Sequence, residues 1–163
     1  LDPLTKVYNR RFLYEKADEL FSRKATRSNV IVSMIDADNF KGVNDTYGHK
    51  TGDVLLQEFS ALMKDYFPDD LIVRYGGEEF TVVSVRPPKV YLSALSAFMD
   101  AVRTTQFTNH KFNITCSIGV CAEEHPSLES QLEVADARLY NAKRAGRDQI
   151  MLRDTASKSA QLV

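Results

Sequence analysis

Leu71-Ile72-Val73-Arg74-Tyr75-Gly76-Gly77-Glu78-Glu79-Phe80-Thr81-Val82-Val83-Ser84-Val85 is the strongest hairpin signal in the chain. Two apolar runs flank adjacent glycines, which supply the positive φ angles that a two-residue turn requires. Pro87-Pro88 then breaks the second strand. Upstream, Val30 to Ile35 reads as a strand buried on both faces, stopping at Asp36. A polar loop punctuated by glycine follows. Thr51-Gly52 opens a helix with Leu55, Phe59, Leu62 and Tyr66 at helical spacing, and Pro68 ends it. Nearer the start, Asn9 can cap a helix carrying Leu13, Ala17 and Leu20 that ends before Ser28-Asn29. Downstream, Tyr91, Leu95, Phe98 and Val102 mark another helix. From Phe112 to Val120 apolar residues alternate with polar ones, the pattern of a half-buried strand. Ser127 caps a last helix with Leu128, Leu132, Ala135 and Leu139 inward, Lys143 and Arg144 in its final turn and Gly146 as terminator. Ile150 to Leu152 adds an edge strand. Strand, helix, hairpin, helix and strand in that order predict an α+β sandwich of ferredoxin-like topology, a mostly antiparallel sheet flanked by helices.

The 163 residues, 44% of them hydrophobic, fit a single domain with a sizeable core. No repeat or linker divides them; residues 1–153 read as the domain and 154–163 as a flexible tail. With 21 basic and 22 acidic side chains the net charge is −1, so no global field recommends nucleic acid or a membrane surface as partner. No apolar run approaches the roughly 20 residues of a membrane span, and no leader precedes the fold, which suggests a cytoplasmic location. A start on Leu1 suggests a fragment of something longer. Cys116 and Cys121, five apart on a strand, face opposite sides and suit core thiols rather than a disulfide.

Chemistry concentrates at two places. Asp36 ends a buried apolar strand, where an unpaired charge costs several kcal/mol unless something compensates it. Period-two spacing sets Asp38 on the same side, and two like charges so close favour a cation between them. The calcium-binding loop is excluded, because its fifth and sixth positions would fall on Phe40 and Lys41. No GxxxxGK[ST] or GxGxxG occurs. The glycine turn offers the alternative: Gly76 and Gly77 allow backbone N–H groups close to an anion, and Glu78 and Glu79 follow at once. Successive strand side chains alternate faces, so one glutamate joins Asp36 readily, and Glu78 is nearest the turn.

Together these residues resemble a known family. Asp36-Ala37-Asp38-Asn39-Phe40-Lys41, Asn44-Asp45, Gly48-His49, Gly52-Asp53 and Arg74-Tyr75-Gly76-Gly77-Glu78-Glu79-Phe80 are similar to the GGDEF diguanylate cyclase domain, with a GGEEF turn. The likeness extends to Asp2, Leu4 and Thr5, to Thr115 through Gly119, and to Ala135-Asp136, Tyr140, Ala142-Lys143 and Gly146-Arg147. It implies a nucleotidyl-cyclase palm-like form of the sandwich. Asp36, the Ala37 carbonyl and Glu78 would hold two Mg2+ ions per site, with Mn2+ a possible substitute. Gly76, Gly77, Lys143, Arg147 and, at the N-terminal side of a short helix, Phe40 and Lys41 would surround the triphosphate of GTP. Asn44 and Asp53 would read guanine, since a carboxylate suits the N1–H and exocyclic amine that adenine lacks. Glu78 or Glu79 would assist deprotonation of a 3′-hydroxyl attacking an α-phosphate across a two-fold homodimer. An upstream sensor domain is expected to supply the signal. The resemblance leaves open a non-catalytic GTP-binding or interaction module, and, less well, another nucleotidyl cyclase. His49 is read as loop packing.

Two positions depart from the family pattern. The product-inhibition motif RxxD falls on Phe67-Pro68-Asp69-Asp70, so Asp70 remains while Phe67 replaces arginine. Tight product binding there is not expected. Lys6 and Val7 replace Gly and Leu in the opening motif, at the hinge to an upstream module.

Overall fold

A computed structural model describes residues 1–22, 29–109, 112–154 and 161–162. Its sheet runs β1 (Tyr8–Asn9), β3 (Leu71–Arg74), β4 (Glu79–Ser84), β2 (Ile31–Ala37), β5 (Cys116–Cys121), β6 (Ile150–Met151) and β7 (Gln161–Leu162) in spatial order. The four central strands, β3-β4-β2-β5, are antiparallel throughout, while β1 and β6 add parallel to β3 and β5. That order is the ferredoxin-like sandwich expected from the sequence.

Among the described residues five helices cover the sheet: α1 (Arg10–Phe21), α2 (Phe40–Tyr47), α3 (His49–Tyr66), α4 (Pro88–Thr104) and α5 (Leu128–Arg144). Strand alternation sorts the core between the two faces. Ile31, Ile35, Phe80, Val82, Ile118 and Val120 pack with Leu55, Phe59, Leu95 and Phe98 of α3 and α4. On the opposite face Val32, Met34, Val73 and Val83 pack with Leu13 of α1 and Leu132, Ala135 and Leu139 of α5. Cys116 belongs to the first cluster and Cys121 to the second, both free thiols. Asn9 and Ser127 cap α1 and α5 as expected, accepting from Phe12 N at 3.0 Å and Ser130 N at 3.1 Å.

Several local expectations are corrected. The hairpin turn is four residues, not two: Tyr75 N and Gly76 N donate to Glu79 O at 2.8 and 3.2 Å. Neither Gly76 nor Gly77 has positive φ; among the described glycines only Gly48 (φ 92°) and Gly146 (φ 119°) do. The pair contributes bare backbone instead, since a Cβ built on Gly77 would meet nothing within 4 Å. Residues 40–47, a loop by their own pattern and a short helix by the resemblance, form α2, with Phe40 and Val43 buried. Eight residues are too few for a persuasive period, and Gly42 dilutes it further. Gly48, in a conformation open to glycine, separates α2 from α3, which begins at His49 rather than Thr51. β4 ends at Ser84, ahead of the proline pair, and Pro88 starts α4. β5 is shorter than the alternating run, and all six of its residues are buried. A Cβ on Gly119 would lie 2.1 Å from Ala135 O and 2.2 Å from Leu139 N, so α5 rests its backbone directly on this strand.

His110 and the end expected for the first helix lie outside the described residues, as does most of the expected tail. Gln161–Leu162 of that tail pairs antiparallel with Ile150–Met151.

Candidate functional site

The central strand β2 carries Asp36 near its C-terminal end, within reach of α5, where its side chain is 3% exposed. Lys143, in the last turn of α5, donates to Asp36 Oδ2. Oδ1 is buried with no hydrogen-bond partner among the described residues. Burial pushes this carboxyl up to about 6; Lys143 opposes the shift, while Glu78 and then Glu79 add to it. An ionised Asp36 is therefore under-compensated, and one oxygen is free for a cation. A carboxylate pair beside a strand-end carbonyl is a hard-oxygen donor set, the kind that suits magnesium. Ala37, whose carbonyl would complete the set, is the last residue of β2 and buried.

The two glutamates divide as the strand dictates. Glu79 lies directly across β4 from Asp36 in the register, while Glu78 sits half-buried at the end of the turn. Burial and the nearby Asp136 raise the Glu79 carboxyl, partly offset by Lys143. Glu79 also lines a cavity of about 440 Å³ with Tyr14, Tyr75, Glu129, Glu133 and Asp136, on the α1 and α5 face.

The oxygens of Asp38, expected from its spacing to share a cation with Asp36, are engaged by protein donors. Its carboxylate accepts from Thr115 Oγ1 and Ser117 Oγ, both at 2.6 Å, and from Asp148 N at 3.1 Å. With these donors Asp38 is a structural tie between β2, β5 and the loop after α5, a role that period-two geometry alone could not distinguish.

Other candidates gather around this centre. Phe40 packs into the core at the start of α2, and Lys41 is exposed beside Asp45 at 3.3 Å. At the α2–α3 junction Asn44 Oδ1 is buried without a partner among the described residues. It occupies the space a side chain on Gly52 would need, since a Cβ there would fall 1.9 Å from Oδ1. Asp53 follows Gly52 on α3 and is exposed, so a carboxylate and a carboxamide oxygen lie at the same junction. Arg147 is exposed in left-handed backbone (φ 63°) immediately beyond Gly146.

Arg74 has a part that the sequence did not reveal. Its Nε and Nη2 donate to Gly77 O at 3.1 and 2.7 Å, and its Nη1 reaches Asp2 Oδ2 at 3.2 Å. Asp2 in turn accepts from Thr5 N and Oγ1 at 2.9 and 2.7 Å. The guanidinium thus ties the opening turn to the glycine turn, 72 residues away. The Asp2-x-x-Thr5 spacing, an Asx-type turn, was the available signal.

Phe67 is fully buried against Tyr91 and Phe98. Asp70 is held by Arg86, whose Nε donates to Oδ1 at 3.1 Å and whose Nη2 donates to Oδ2. A separate group, Cys121, Glu123 and His125, brings potential metal-binding atoms within 4.8 Å of one another beyond β5. There Arg138 takes both Glu123 oxygens at 2.8 and 2.6 Å, and His125 Nδ1 meets Ser130 Oγ at 2.8 Å.

Residues 1–149 match the family described as "Diguanylate cyclase, GGDEF domain". The chain belongs to the GGDEF family. This GGDEF domain is 36% identical to diguanylate cyclase DgcP of Pseudomonas aeruginosa, over 91% of its own length and 23% of that protein. Among solved structures it is similar to diguanylate cyclase SiaD of Pseudomonas aeruginosa, crystallised with its activator SiaC: TM-score 0.85, 35% identity, 93% of this chain and 61% of that one. The GGDEF domain of DgcB from Caulobacter crescentus, solved with c-di-GMP, gives TM-score 0.85 and 30% identity over 94% and 95%. The chain spans about a quarter of DgcP and 35% of Escherichia coli DosC, so it corresponds to one part of such proteins. No helix among the described residues is long and apolar enough to cross a membrane.

Proposed function

We propose that this GGDEF domain is a diguanylate cyclase that condenses two GTP molecules into cyclic di-GMP with release of two pyrophosphates. The observation that carries the proposal is Asp36, a buried carboxylate with one oxygen on Lys143 and the other unpartnered among the described residues. Asp36, the Ala37 carbonyl and Glu78 would hold two magnesium ions, with manganese as a substitute. When bound, these ions acidify the attacking hydroxyl and offset charge on the phosphoryl oxygens.

The chain's own residues perform the remaining tasks. Asn44 and Asp53 accept from the guanine N1–H and exocyclic amine. Gly76, Gly77 and the start of α2 at Phe40 bring backbone close to the triphosphate, with Lys41, Lys143 and Arg147 as its cations. Lys143, which donates to Asp36 here, would be released to a phosphate oxygen if the Asp36 carboxylate held a cation. The 3′-hydroxyl of one GTP attacks the α-phosphorus of the other, its proton passing to a carboxylate of Glu78 or Glu79 as pyrophosphate leaves. Each domain holds one GTP, so two domains face each other about a two-fold axis and each bond forms between them. The domain works in the cytoplasm, under an upstream sensor domain in the longer protein. With Phe67 in the core and Asp70 engaged by Arg86, no tight product-inhibition site forms at this position.

The test is incubation of concentrated protein with GTP and Mg2+, followed by assay of pyrophosphate and cyclic di-GMP. Both should appear in a ratio of two to one. Retained GTP binding without turnover would assign the domain to the non-catalytic interaction modules instead.

A further inference from the structure

Arg147 and Asp148 occupy left-handed backbone in succession, with φ of 63° and 51°, directly after Gly146. Such a conformation is uncommon for any residue with a side chain, and two together persist only where surrounding contacts impose them. Those contacts are specific. Asp38 accepts from Asp148 N at 3.1 Å, its carboxylate already fixed by the hydroxyls of Thr115 and Ser117. Arg103, in the last turn of α4, donates through Nε to Asp148 Oδ1 at 2.8 Å and through Nη2 to Asp148 O at 3.4 Å. Arg147 N donates to Ala142 O at 3.0 Å, closing the turn onto α5. Asp38, Arg103 and Arg147 line one cavity of about 560 Å³ together with Asn39 and Gly42 at the start of α2.

We infer that Asp38 and Arg103 are positioning residues that clamp the left-handed Arg147-Asp148 turn, so that the Arg147 guanidinium is presented to the substrate polyphosphate. Neither side chain touches substrate itself in this arrangement. Arg103 spends its donors on Asp148 and Asp100, and Asp38 spends its oxygens on three protein donors. Asp38 stands two residues beyond Asp36 on the same segment, so one stretch of chain serves both the carboxylate centre and the phosphate clamp. The inference rests on the reading of Arg147 as a phosphate ligand. Its consequence is distinctive: loss of Arg103 should cost affinity only while Arg147 is present.

The experiment measures binding of a GTP analogue with a methylene in place of the α,β-bridging oxygen, and of guanosine, by calorimetry with Mg2+. Arg147→Ala should weaken the analogue about 10- to 100-fold, the range for losing a charge-assisted hydrogen bond, and leave guanosine unchanged. Arg103→Ala should weaken the analogue about tenfold in the parent and not measurably in the Arg147→Ala background. Asp38→Asn, which keeps an acceptor for Asp148 N, should retain most of the affinity that Asp38→Ala loses. Additive losses in the double variant would show that Arg103 meets the phosphates directly and would overturn the inference. Equal loss of guanosine binding would reduce both residues to a general structural role. An Arg147→Ala variant that binds the analogue like the parent would remove the phosphate reading of Arg147, and the inference with it.

Discussion

Lys143 places its ammonium on the carboxylate of Asp36, 107 residues earlier in the chain, and leaves the second oxygen of that carboxylate buried without a partner among the described residues. In the absence of metal the ammonium stands in for a cation but satisfies only half of the group. The Asp36 carboxyl, at about 6 against an ordinary 3.8, binds its proton more tightly folded than unfolded. Its contribution to stability is therefore fully present below the unfolded value and declines as pH rises through about 6. A shift of this size corresponds to about 3 kcal/mol, or roughly 5–10 °C for a domain this long. Asp36→Asn should raise the melting temperature of the metal-free protein at pH 7.5 and flatten its decline between pH 4 and 7. It should also remove the stabilisation that Mg2+ gives the parent at pH 7.5. Calorimetry across pH, with and without Mg2+, reads all three. A markedly lower melting temperature for Asp36→Asn at pH 7.5 would show that the ion pair with Lys143 outweighs the burial of the charge.

Glu78 is half-buried at the end of a turn, and its removal should be felt in chemistry rather than in the fold. Glu78→Gln keeps size and hydrogen-bonding capacity while deleting a metal-binding charge, so cyclic di-GMP formation should fall by at least about a hundredfold. The melting temperature in EDTA should stay within the roughly 0.5 kcal/mol expected of a surface change. Near-parent turnover would contradict the metal role.

The proposed guanine-reading role of Asn44 makes a prediction that runs against intuition about stability. Gly52 lies inside α3, where alanine is favoured by about 1 kcal/mol over glycine. Its Cβ would nonetheless fall 1.9 Å from Asn44 Oδ1, the end of a side chain that can swing away. Phe40 Cζ, at 3.2 Å from that Cβ, must also give by a few tenths of an ångström, so Gly52→Ala should change stability by no more than about 1 kcal/mol, yet weaken GTP binding roughly tenfold by displacing Asn44. The measurement pairs a thermal melt with GTP calorimetry. Unimpaired GTP binding would mean that Asn44 does not contact the base.

The four central strands and four of the five helices were legible because each carries its period over enough residues, and Asn9 and Ser127 announced their caps. What escaped had a physical cause. α2, only eight residues long with glycine inside it, was legible from the resemblance and not from its own period. The alternation of β5 concealed that its small residues, Ser117 and Gly119, are buried too: Gly119 makes room for the backbone of α5. At the site, Asp36, Glu78 and Lys143 were recognisable from their motifs, and the structure brings Lys143 to Asp36 itself. The ties of Asp38 were not legible, since same-side spacing cannot show that hydroxyls from Thr115 and Ser117 donate to a carboxylate. Arg74 and Arg103 were silent because their partners, Asp2 and Asp148, lie 72 and 45 residues away.

Asp70 and Phe67 make the last prediction, which concerns regulation. The Asp70 side chain is 1% exposed and held by two donors of Arg86, so no oxygen is offered to an external ligand without breaking that pair. Arg86→Ala would leave a buried carboxylate uncompensated and should cost about 3–5 kcal/mol. Restoring an arginine with Phe67→Arg should not create a product site. Phe67 is fully buried, with ring centroids 5.8 Å from Tyr91 and 5.3 Å from Phe98, so the substitution buries a charge among aromatics and should destabilise the fold instead. Titrating cyclic di-GMP into the parent should give no micromolar binding, and added product should not slow turnover beyond simple competition. Micromolar binding that disappears in Asp70→Ala would show that the Arg86 pair opens to admit the product, and that inhibition survives here without the arginine.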